Sequence, residues 1–96
     1  MSSIKQATEL VKSAMEALDG ELYRSPDPKL ASVSKVQKEA FKQKLQKIYD
    51  TLNSGSLPEK SLRNMGLSHA IADSWPFDSK LAEEIAKAER AFIEAK

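Results

Sequence analysis

The residues of this chain that could do chemistry are few, and most fall in one stretch. Residues 65–78, MGLSHAIADSWPFD, hold the single histidine, the single tryptophan and one of three glycines. An imidazole can serve as general base or metal ligand, but either task needs a second group at a fixed distance. With no cysteine in the chain, no thiolate is available as nucleophile or zinc ligand. One histidine cannot supply the paired Glu-x-x-His sets of a di-metal bundle. Glycines 20, 55 and 66 lie too far apart to cradle a phosphate. The chain is therefore not expected to be an enzyme, and no catalytic residue, metal ligand or cofactor is assigned.

His69, standing alone, reads first as a surface or core-edge histidine. Trp75 and Phe77 differ in kind, because they flank Pro76, whose fixed backbone can present large rings at a helix junction. Plugging one end of a bundle is the first task expected of them. Anchoring a protein partner is the second, since buried aromatic side chains dominate interface energetics. Arg63 and Tyr23 are candidate rim neighbours, so the candidate partner-binding set is Tyr23, Arg63, His69, Trp75 and Phe77. Residues 59–75 also carry the outline of a helix-turn-helix, with Gly66 at the turn. From residue 55 onward, however, six basic residues face seven acidic ones, where a phosphate-facing surface should be basic.

These side chains must be positioned by helices. Ser3 with Gln6 forms the pattern of a capping box. Ile4, Ala7, Leu10, Val11, Ala14, Met15 and Leu18 then share one face at 100° per residue, and Gly20 is expected to end the helix. Pro26 and Pro28 make the next segment an ordered connector, pinned by Leu22, Tyr23, Leu30 and Val33. A second helix is predicted from about Ser34 to Asn53, with Phe41, Leu45, Ile48 and Leu52 as its stripe. Lysines 35, 38, 42, 44 and 47 fall on both flanks of that stripe, where stems can lie on the core edge with their ammonium groups in water. Ser56 with Glu59 reads as a further capping box that starts a third helix, either capped at Gly66 or bent there and continued to about Ser74. Pro76 should stop it. The last helix begins after Asp78 or Ser79 and carries Leu81, Ile85, Ala88, Phe92 and Ala95, widened by Ala82, Ala86 and Ile93. Carboxylates are expected on solvent faces beside lysines.

At 96 residues and 41% apolar content the chain suits one domain with one core, residues 1–96. Fifteen basic against fourteen acidic residues leave a net charge of +1, so the total does not call for nucleic acid or an acidic membrane as partner. Charges at Lys5, Glu9 and Lys12 break up the N-terminus, which therefore does not read as a signal peptide. No stretch reaches the ~20 apolar residues of a membrane span. A cytoplasmic location is expected. Several amphipathic helices without strand-like alternation predict an all-α fold, an antiparallel four-helix bundle. Gly66 could divide the third helix, giving four to five helices in all.

The order of elements resembles the class IIa bacteriocin immunity proteins. The likeness is carried by AFKQKLQKIYDTLNSG, a lysine-rich amphipathic second helix ending in glycine, and by LPEKSLRNMGLSHAIADS, with proline near its start and methionine and isoleucine along it. The resemblance implies a cytosolic four-helix bundle that protects a producing cell from a pore-forming peptide. It further implies a receptor-associated protein partner and specificity residing in the C-terminal half.

The expected function is thus a non-enzymatic protein-binding module of the immunity-protein, inhibitor or adaptor type. A small DNA-associated regulator using residues 59–75 is one alternative. Self-assembly through the alanine-bearing seams of the first and last helices is another.

Overall fold

The structure, a computed structural model, describes residues 3–76 and 79–95. Among them the regular elements are helices and helical turns: α1 (Ile4–Tyr23), α2 (Lys35–Ser54), α3 (Leu67–Ser74) and α4 (Lys80–Glu94), with 3-10 turns at Pro28–Leu30 and Lys60–Leu62. The fold is an all-α bundle of four helices, as the apolar periodicity requires.

Three serines start the three long helices. Ser3 and Gln6 exchange both capping-box bonds, 3.1 and 3.2 Å long. Ser34 accepts from the Gln37 amide, but the Gln37 carboxamide turns away and donates to Ser74 Oγ at 3.3 Å, tying α2 to the end of α3. Ser79 accepts from the Ala82 amide. Gly55 ends α2 at φ 75°, a left-handed conformation that suits glycine at a helix C-terminus.

Helix α1 runs one turn beyond Gly20, the residue expected to end it. Gly20 takes ordinary helical backbone angles, and the extra turn places Glu21 in register with the buried Ala14 and Leu18. A glycine inside a helix costs about 1 kcal/mol, and the turn that follows it carries Glu21 to Lys38 and the Asp27 amide. The third helix departs further from expectation. Ser56 to Glu59 is extended, a 3-10 turn follows, and α-helix begins only after Gly66. Gly66 is the N-cap of α3, at φ 76°, and not the C-cap of an earlier helix. The capping-box pattern at Ser56 is overridden by longer-range partners described below.

Helix α1 lies in the middle, packed along both α2 and α4, while α2 and α4 hardly touch each other. The core runs from Ala7, Val11, Ala14 and Leu18 on α1 to Phe41, Leu45, Ile48 and Leu52 on α2, and to Ala82, Ile85, Ala88 and Phe92 on α4. Leu30 and Val33 close it at the connector. The gap between α2 and α4 is spanned by residues 56–76, which bury Leu67 and Trp75.

Candidate functional site

Two glutamates lie inside the apolar stripes. Glu89 sits on the buried face of α4, four residues from Ile85 and three from Phe92, and is 2% exposed. Its Oε2 accepts from the amides of Met65 and Leu67 at 3.1 and 3.0 Å, and its Oε1 from Ser68 at 2.9 Å. Gly66 has no side chain with which to cap α3, so a carboxylate from another helix satisfies the orphan amides and meets the positive end of the helix dipole. This is why α3 starts where it does.

Arg63 works in the opposite direction. Its Nε donates to the Pro58 carbonyl at 2.8 Å, and Nη1 donates to the carbonyls of Phe92, Ile93 and Ala95 at 3.3, 3.1 and 2.6 Å. A guanidinium here satisfies the free carbonyls ending α4 and complements its negative end. Arg63 is buried, so it is a clamp on α4 and not the exposed rim residue expected.

The second buried glutamate, Glu21, closes the corner between α1 and α2. Lys38 Nζ donates to its Oε2 at 2.9 Å, and the Asp27 amide to its Oε1 at 2.8 Å. Three of the five α2 lysines therefore have specific partners and are not merely flanking stems. Besides Lys38, Lys42 pairs with Asp19 at 2.7 Å and Lys44 donates to the Met65 carbonyl at 3.3 Å. The hydrogen bond to Asp19 raises the Lys42 pKa above its ordinary value, with smaller contributions from the nearby Tyr23 and Glu39, against a lowering by burial.

The expected partner-binding residues do not form one patch. Trp75 is 7% exposed and stacks on Phe41, ring centroids 5.1 Å apart and planes 11° from parallel. It closes the bundle where Pro76 forces the chain to turn. Tyr23 is 60% exposed, its ring 5.0 Å from Lys42 Nζ. The His69 side chain is 85% exposed and faces Asp73 at 3.5 Å along α3. Phe77 lies outside the described residues.

Residues 59–75 do not form a helix-turn-helix, because only a 3-10 turn precedes Gly66. Of the alanines in the seams proposed for self-assembly, Ala7 and Ala14 on α1 and Ala82, Ala88 and Ala95 at α4 are core positions, and Ala86 is half-buried.

Beside Trp75 the surface opens into a groove of about 430 Å³ between α3 and α4. Ile71, Ala72, Trp75 and Pro76 line one side, and Ser79, Ala82, Glu83 and Ala86 the other. The one charged side chain among its described lining residues, Glu83, is 3.5 Å from Lys87. No protein-family model and no curated protein matches the chain. The groove is thus open, lined by small and apolar side chains together with Ser79 and Glu83, and set in the C-terminal half. Among the described residues no cluster of three carboxylate or imidazole groups could hold a metal ion, and no helix is long and apolar enough to cross a membrane.

Sequence reasoning missed Glu21, Lys38 and Glu89. The signal was their spacing: each occupies a position that the apolar stripe of its helix would otherwise fill.

Proposed function

We propose that this chain is a protein-binding module of the immunity-protein, inhibitor or adaptor type, and that it engages its partner through the α3–α4 groove. The observation carrying this reading is the groove's lining. Ala72, Ala82 and Ala86 leave a trough beside Ile71 and Pro76, and Glu83, the one carboxylate among its described lining residues, already has a lysine neighbour. Such a trough suits an apolar segment of a protein better than a charged or polar small molecule. Its place in the C-terminal half agrees with what the resemblance to class IIa bacteriocin immunity proteins implies about specificity. Under that reading the module acts in the cytoplasm, beside the receptor of a pore-forming peptide.

The test compares partner recovery by the wild-type chain with that of Ala72→Glu and Ala86→Glu, which place a carboxylate in the trough, and Ala40→Glu, on the exposed face of α2. Both groove variants should lose the partner with circular dichroism and Tm close to wild type, while Ala40→Glu retains it. Equal recovery by all four chains would contradict the groove assignment. For the immunity reading, expression in cells sensitive to class IIa bacteriocins should raise survival, and Ala86→Glu should abolish the effect. Killing at the control level across such peptides would refute it.

A further inference from the structure

We infer that residues 56–76 form a strap that opens as one unit from the cleft between α2 and α4, leaving the α1–α2–α4 assembly folded. The strap includes Ile71, Ala72, Trp75 and Pro76, so its opening also dismantles one side of the groove.

It starts from how the strap is held. Because α2 and α4 hardly touch, the strap is the layer that bridges them, and its attachments go to both. Toward α4 it gives the Met65, Leu67 and Ser68 amides to Glu89 and the Arg63 guanidinium to the last carbonyls. Toward α2 it accepts Lys44 at the Met65 carbonyl and Gln37 at Ser74, and stacks Trp75 on Phe41.

Little of the strap's order is its own. An eight-residue helix is far below the length that is stable alone, α3 has no side-chain cap from its own N-terminus, and Leu67 is its one fully buried residue. Releasing Glu89 frees three amides together, and without a cap α3 has no reason to remain helical. The attachments are therefore lost together or kept together. By contrast α1 buries Ala7, Val11, Ala14 and Leu18 between two long helices. Local openings with free energies below that of global unfolding are the ordinary behaviour of such loosely buried units. Opening uncovers Phe41 on α2 and Phe92 on α4, so the strap also acts as a cover over the bundle's apolar interior.

Residue-resolved amide exchange on the full chain under increasing urea tests this. The amides of Met65, Leu67, Ser68, Ala70 and Trp75 should exchange as one group, faster than those of Val11, Leu18, Ile85 and Ala88, and with a shallower dependence on urea. Val11→Ala should speed the second group about tenfold while leaving the strap group unchanged, because it weakens only the assembly that stays folded. Glu89→Gln should speed both groups by a common factor of about ten. The wild-type urea series and Val11→Ala decide the matter even if Glu89→Gln does not fold. One shared rate and one shared urea dependence for both groups, in the wild type and in Val11→Ala, would overturn the inference.

Discussion

The two buried glutamates do the same job with different partners. Glu21 meets a side chain, Lys38, and only one backbone amide. Glu89 meets three backbone amides, with no cation among its described hydrogen-bond partners. At the α1–α2 corner the clamp joins two helices that would form without it, since each has a serine cap and four buried apolar residues on one face besides the buried charge. At the strap the clamp decides whether α3 is a helix at all. A side chain–side chain pair can be exchanged for an apolar pair of similar shape. A clamp on backbone amides has no such substitute, because the amides remain whatever the side chain becomes.

The sharpest way to break this contrast is Glu89→Ala. It strands three amides in a mostly buried site, and urea denaturation should show a loss of about 3 kcal/mol. Far-ultraviolet circular dichroism should lose the signal of one short helix. Lys38→Met comes next, leaving the Glu21 carboxylate with one amide and lowering stability by about 2 kcal/mol. Glu21→Leu added to Lys38→Met should return stability to within about 1 kcal/mol of the wild type. If Glu89→Leu were equally well tolerated, the distinction between the clamps would be wrong.

Two smaller effects sharpen the corner. A Cβ added at Gly20 meets nothing within 4 Å, so Gly20→Ala should stabilise α1 by about 0.5 kcal/mol and raise Tm slightly. One turn from the buried pair, Lys42 and Asp19 form its more exposed counterpart. Because the folded state raises the Lys42 pKa above 10.5, its stabilisation is complete below that pH and is lost as pH rises through the higher folded value. Alkaline unfolding curves of the wild type should therefore show a shallow loss above about pH 10.5, absent in Lys42→Met.

Much of the fold was legible in the sequence, for a physical reason. The three long helices announce themselves through 3.6-residue periodicity and serine caps, which are local properties, and Pro76 stops α3 as its geometry requires. What could not be read locally was α3. Ser56, Pro58 and Glu59 carry a helix-start pattern, but Glu89, which fixes the real start, lies more than twenty residues away. The same distance hid the clamps. Glu21, Lys38 and Glu89 looked like solvated charges because their partners belong to other elements. Of the candidate surface, Trp75 is buried against Phe41 and Arg63 caps α4, whereas Tyr23 and His69 are exposed.

The Glu89 carboxylate stands in for the missing N-cap side chain of α3 and holds its first amides. Scalar couplings transmitted through hydrogen bonds test it directly, in a chain labelled with 15N and 13C. The amide nitrogens of Met65, Leu67 and Ser68 should each couple to Glu89 Cδ, and in Glu89→Gln, which keeps one acceptor oxygen, the couplings of the amides that lose their acceptor should disappear. Absence of any coupling to Glu89 in the wild type, with α3 fully helical, would contradict it.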